Sequence, residues 1–189
     1  MATRITVSLS IPEIWSVKDS QVTALDTVAL VRSRVYQGKK TNDRPFKEYS
    51  TEPIYISRKG ARLRPKGGRK TPKGMFFAGG YAEYKEKSRR RVKSGKNQSA
   101  EVDLTLSGAL MNNLITTNAT KTGFTIGLSS AVQSYGYYVH EKRPFIGLSP
   151  SDQRKLTDAI AARMRKKLSL GDSSKSFKRS FKRSVRGDQ

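Results

Sequence analysis

The sequence has no cysteine. That excludes disulfides, thiolate zinc sites and cysteine nucleophiles together, and it fits assembly in a reducing compartment. Histidine is nearly missing as well. His140 is the only one, so no histidine pair exists to hold zinc. It lies between Tyr138-Val139 and Glu141-Lys142 with no Ser–His–acid arrangement around it, which leaves it a structural role at a surface or strand end. Acids are scarce, 15 in all, and mostly interleaved with Lys or Arg, so no carboxylate cluster of a metal-dependent nuclease is visible. Asp152 and Asp158, for example, do not share a helix face. Neither Gly67-Gly68 nor Gly79-Gly80 leads into the Lys-Ser/Thr of a phosphate-binding loop. No apolar run approaches the roughly 18 residues of a membrane span. Met1 to Ile11 lacks the continuous apolar core of a signal peptide. The expectation is a protein without enzymatic activity, cofactor, metal or membrane partner. A nuclease whose carboxylates meet from distant positions is the weaker alternative.

What the chain has in excess is positive charge. Its 189 residues carry 38 Lys and Arg, a formal net charge of +23, while about a third are apolar. That length suits one domain with appendages. A charge so far from zero speaks to partners rather than fold, and it calls for nucleic acid, acidic protein or an anionic surface as counter-charge.

Periodicity supplies the elements. Ile5, Val7, Leu9 and Ile11 alternate with polar residues, predicting a strand over 4–11 that Pro12 ends. Val22, Leu25, Val28, Ala29, Val31 and Val35 follow at helical spacing, predicting a helix over 18–37 that Gly38 stops. Alternation at Val102, Leu104 and Leu106 predicts a strand over 102–106, and a short helical stretch follows from Ala109 to Ile115. Phe124, Ile126 and Leu128 predict a strand over 123–129, and Tyr135–His140 reads as a further strand. Ser149-Pro150 is a helix start, with Ser as N-cap, Pro at the first position and Asp152 favoured in the first turn. Leu156, Ile160, Met164 and Leu168 then share one face of a helix over 150–169, and Gly171 stops it. The predicted fold is α+β: a small, mainly antiparallel sheet packed against helices, with long basic extensions. Residues 1–57 and 75–170 form one core domain.

Two stretches fit no core. Residues 58–74 hold Arg58, Lys59, Arg62, Arg64, Lys66, Arg69 and Lys70 among glycines and prolines, the composition of a flexible basic loop. Phe76, Phe77, Tyr81 and Tyr84 come next and are expected to pack its base onto the core. A second basic run, with Lys85, Lys87, Arg89, Arg90 and Arg91, begins as a helix end and then frays. Residues 171–189 repeat a four-residue unit, Phe177-Lys178-Arg179-Ser180 and then Phe181-Lys182-Arg183-Ser184. Alone this is a solvated tail, too short to hold a helix. On a partner it becomes a basic amphipathic helix with Phe177, Phe181 and Val185 as its stripe. These sixteen residues, Arg58 to Lys70, Arg89 to Arg91, and Phe177, Lys178, Arg179, Phe181, Lys182 and Arg183, are the expected contacts to acidic protein or polyanion.

About half the chain resembles a known family. The stretch Val102-Asp103-Leu104-Thr105-Leu106-Ser107-Gly108-Ala109-Leu110 comes first. Phe124-Thr125-Ile126-Gly127-Leu128 follows, then the tyrosines before His140, and last Arg143-Pro144-Phe145-Ile146-Gly147-Leu148-Ser149 ahead of an acidic-start helix. This order is similar to tailed-bacteriophage neck and tail-completion proteins of the virion-morphogenesis group. Residues 44–56 and 74–84 are similar to the same group with less to match. The resemblance implies a structural ring subunit at the head–tail junction, with six-fold-compatible symmetry and no catalysis. It implies connector and tail proteins as neighbours, possible contact with DNA in the channel, and a place in the virion after assembly in the host cytoplasm. Neither 58–74 nor the tail matches the family. A basic nucleic-acid-binding protein outside any virion is the alternative, though no helix-turn-helix, zinc or RNP-like signature marks it.

Overall fold

The computed structural model describes residues 4–8, 15–57, 67–87, 102–105 and 108–184; of 4–8 and 170–184 it describes the backbone only. Strand β1 (Arg4–Ser8) leads to helix α1 (Val17–Tyr36), which opens with a reciprocal cap. Asp19 N–H donates to Ser16 Oγ at 3.3 Å, and Ser16 N–H donates to the Asp19 carboxylate at 2.8 Å. Trp15, just outside the cap, is buried and donates from Nε1 to Ser20 Oγ at 3.0 Å.

Two three-stranded antiparallel sheets follow. The larger has the order β1–β6–β5, from β5 (Leu114–Thr120) and β6 (Gly123–Leu128) joined by a tight hairpin. Its register sets Ile5 opposite Ile126 and Leu114 opposite Leu128, with an irregularity between Thr116 and Asn118. Ala24, Val28, Val31 and Val35 on one face of α1 pack with Leu114, Phe124 and Ile126 to form the main core. The smaller sheet has the order β2–β4–β3: β2 (Ile54–Ser57), β3 (Arg69–Thr71) and β4 (Gly74–Phe77). Helix α2 (Gly80–Lys87) lies on it, and Met75, Phe77 and Tyr84 make a second, smaller apolar cluster. Of the four aromatic residues expected to pack the base of the basic segment onto the core, Phe77, Tyr84 and Tyr81 pack in this separate small cluster and Phe76 stays outside it, facing Arg69.

The chain ends with α3 (Ala109–Asn112), α4 (Gln133–Lys142) and the long α5 (Pro150–Ser184). α5 runs antiparallel to α1. Arg34 near the end of α1 pairs with Asp152, Asp26 pairs with Arg163, and Asp19 at its start pairs with Lys167. Leu156 is buried against the core, Ile160 packs partly buried against it, and Leu168 is exposed, so the apolar stripe leaves the core as the helix proceeds.

This is the α+β architecture the sequence predicts, with five corrections. Residues 102–105 are not a strand. The Asp103 carboxylate accepts Thr105 N–H at 2.9 Å, an Asx-type turn, and Leu104 takes a positive φ of 54°. The helical stretch expected to reach Ile115 ends at Asn112, and β5 begins at Leu114. Tyr135–His140 is helical, because Gly136 lets α4 press directly onto Leu128 and Leu110. Part of the expected loop at 58–74 is ordered, with Arg69–Thr71 paired to β4. Gly171 does not stop α5, which continues through it to Ser184; the roughly 1 kcal/mol that glycine costs a helix does not decide the matter. The backbone of 171–184, expected to be a solvated tail, is therefore helical.

Candidate interaction site

The connection between α4 and α5 is tied by backbone, side-chain and charged contacts. Arg143 leaves α4 with φ −141° and ψ 87°, the extended geometry that the following proline requires. Phe145 and Ile146 are buried in the main core. Both of their backbone N–H groups donate to His140 Nδ1, at 3.2 and 3.3 Å. His140 is thus a neutral acceptor that closes the turn, and burial lowers its pKa below the ordinary value. Gly147, at φ 155°, passes so close to Thr41 that a Cβ would lie 2.8 Å from Cγ2. Ser149 Oγ then accepts Asp152 N–H at 3.1 Å, the N-cap that the Ser-Pro pair predicts.

Charged groups lock this turn from beneath. Arg34 and Asp152 are both buried and form an ion pair. Arg34 Nη2 also donates to the Phe145 carbonyl oxygen at 2.6 Å. Burial lowers the Arg34 pKa, and Asp152 and Asp43 oppose that shift. Asp43, in a left-handed turn at φ 61°, accepts Ser151 N–H at 3.1 Å and its hydroxyl at 2.7 Å, and those bonds keep its pKa low. The segment that carries the family resemblance is therefore a fold-defining joint.

The expected contact residues distribute differently. Arg58, Lys59, Arg62, Arg64, Lys66, Arg89, Arg90 and Arg91 lie outside the described residues. Phe177, Lys178, Arg179, Phe181, Lys182 and Arg183 sit on the last turns of α5, where only the backbone is described. Arg69 and Lys70 are exposed on β3, and the Arg69 guanidinium sits 5.1 Å from the centroid of Phe76. The geometry does bring one flank of each basic segment together. Gly67, where the first segment returns, runs against the side chain of Lys87, where the second departs, close enough that a Cβ on Gly67 would lie 2.7 Å from Lys87 Cδ. Gly67 and Lys87, which flank segments 58–66 and 88–101, thus lie side by side, while Ser57, the other flank of 58–66, pairs with Gly74 at the opposite end of β4.

Lys85 turns out not to belong to that basic surface. Its side chain is fully buried and paired with Asp103 at 2.5 Å. Lys87 is half exposed and pairs with Glu83 one turn earlier, and that hydrogen bond, with one from Gly79 N–H, keeps the Glu83 pKa low. Among the described residues no group of three or more acids and histidines is placed to hold a metal ion, and no helix is long and apolar enough to cross a membrane. Comparison with known protein families, with curated proteins and with solved structures finds no match to this chain.

Proposed function

We propose that this chain is a structural ring subunit of a tailed-phage head–tail junction, joining the head connector to the tail. The observation that carries the reading is the Arg143–Ser149 joint. The block resembling the family's turn anchors itself with buried Phe145, Ile146 and Ser149, is tied to α1 through Arg34, and launches α5, as a structural connection does.

The charge supports the same reading. Two segments rich in Lys and Arg are flanked by the neighbouring residues Gly67 and Lys87, and the backbone of α5 continues as a helix through a basic sequence beyond its last ion pair with α1. A ring of six subunits would hold more than a hundred excess positive charges, so acidic neighbours or the DNA in the channel must balance them. Against this stands a basic nucleic-acid-binding protein outside any virion, favoured by the +23 charge alone.

Mass photometry of the full chain without DNA separates the two. A ring subunit gives a closed species near six times the 21.1 kDa subunit mass, and labelling in intact particles places it at the neck. A monomer at all concentrations, with DNA binding that falls steeply and log-linearly with salt, sinks the ring reading.

A further inference from the structure

A recess of about 330 Å³ opens beside α4. Tyr49, Tyr81, Tyr135 and Tyr138 line it, together with Leu110 and Arg143. The Tyr49 and Tyr81 rings lie 4.9 Å apart at 60°, and burial holds both phenols protonated well above their ordinary range. Tyr135 and Tyr138 stand one turn apart on α4 and are 51% and 61% exposed, much more than large rings on a packed face. Aromatic walls with polar tips suit the entry of another flat ring, which stacks edge-on or offset against them.

Charge then narrows the occupant. Two cations lie 5.0 Å from the Tyr49 centroid, Lys85 and Arg143. Lys85 has its counter-ion, Asp103. Arg143 has hydrogen bonds from Nε and Nη2 to the carbonyl oxygens of Lys47 and Glu48, between 3.1 and 3.3 Å, but no carboxylate at ion-pair distance among the described residues. An aromatic recess with one uncompensated guanidinium matches a ring that carries a carboxylate beside it.

We propose that this recess binds a segment of a partner polypeptide that presents an aromatic side chain next to a carboxylate. The ring enters among Tyr81, Tyr135 and Tyr138, and the carboxylate pairs with Arg143. A nucleic acid strand is the poorer occupant. Strand binding needs a series of cations to track the phosphates, whereas Arg143 is the one cation among the described residues lining this recess. The adjoining groove of about 590 Å³ that shares Tyr49 is lined, among the described residues, by no Lys or Arg but by Glu48 and by Asp103, which Lys85 already pairs. The site stands whether or not the chain forms a ring.

The test is a titration of the isotope-labelled full chain, followed by the tyrosine ring resonances. The probes are N-acetyl-L-phenylalanine, its amide, and thymidine monophosphate. N-acetyl-L-phenylalanine is expected to shift Tyr49, Tyr81 and Tyr138 with millimolar affinity, as befits a single anchor. The amide should bind roughly fivefold more weakly for lack of the charged partner, and the nucleotide should not displace the acid. Arg143→Gln should erase the difference between acid and amide. Because Arg143 also ties down residues 47 and 48, Tyr138→Ala serves as the second variant: it should weaken the acid about threefold with an unchanged circular dichroism spectrum. No shift with the acid, equal binding of acid and amide, an unchanged Tyr138→Ala, or tighter binding of the nucleotide would each overturn the proposal.

Discussion

Replacing Arg34 with Met keeps most of the side-chain volume and removes the guanidinium. The Asp152 carboxylate, in a residue only 2% exposed, then loses its counter-charge and keeps, among the described residues, only the Ser149 N–H, and the Phe145 carbonyl oxygen loses the guanidinium donor. Breaking a buried pair from one side costs about 3–5 kcal/mol, because the remaining charge stays buried without compensation. That is a large share of the 5–15 kcal/mol that typically holds a domain together. With a urea slope of about 2 kcal/mol per M, the unfolding midpoint should fall by roughly 1.5–2.5 M. Fluorescence of Trp15, the only tryptophan and a buried one, reports the transition. Arg34→Lys keeps the charge but not the fork, so it should serve one acceptor and lose about 1–2 kcal/mol. In Arg34→Met/Asp152→Asn the loss should be smaller than the sum of the single losses by at least ~1.5 kcal/mol. A loss below ~1 kcal/mol in Arg34→Met, or strict additivity, would refute the claim that this pair locks the α4–α5 joint.

Three further outcomes are expected. His140 has a lowered pKa in the folded state, so the stability it confers is complete above its unfolded value of 6.5 and is lost as pH falls from there toward the folded pKa; urea titrations from pH 7 to pH 5 should show this slope, and His140→Gln should remove it. Asp19 is disfavoured as an anion by burial, but hydrogen bonds from Lys167 and Ser16 outweigh that and lower its pKa from 3.8 to about 2. Its stabilisation is therefore present above 3.8 and disappears as pH falls through about 2, and Asp19→Asn should flatten acid unfolding in that window. On α5, Phe177→Ala with Phe181→Ala should impair assembly more than Lys178→Ala with Lys182→Ala, since exposed ion pairs are individually weak; the reverse order in a sedimentation assay, with strong salt sensitivity, would assign the helix to DNA.

The elements legible in the sequence were those whose burial is one-sided. α1 buries Val28, Val31 and Val35 of the six apolar residues read as its face, while Val22, Leu25 and Ala29 are exposed and Thr23, Ala24 and Thr27 are buried instead, so the helix was legible and its buried face only in part; Ser149-Pro150 carries its cap within itself. The misread elements are those where tertiary contacts override a short pattern. Tyr135–His140 alternates like a strand, yet Tyr135, Tyr138 and Val139 line the same recess, at the spacing of a helix. β5 was hidden because Leu114 and Ile115 continue the run of α3; its signal was the β-branched Ile115-Thr116-Thr117 leading to the turn before Gly123. The basic segments were plain from composition, but not that the end of one meets the start of the other, since no local pattern says that Gly67 meets Lys87. Arg34 and Asp43 gave no signal at all, and Arg143 stood out only as part of the turn, not as a cation beside Tyr49. A buried arginine looks like any other until its partner, far along the chain, is in place.

The length of α5 sets how its charge is delivered. From Lys167, which pairs with the first turn of α1, the helix runs on to Ser184, roughly 25 Å at 1.5 Å per residue. A flexible tether spreads its end group over a cloud and pays in entropy when it is caught. A rod holds its end at one distance and one bearing, so a small tilt at the root sweeps the tip through several ångströms. Yet Lys178 and Lys182, and Arg179 and Arg183, stand one turn apart as like charges, which loosens a helix wherever nothing neutralises them. An anionic surface that meets these residues therefore stiffens the arm that reached it, and recognition and rigidity become one event.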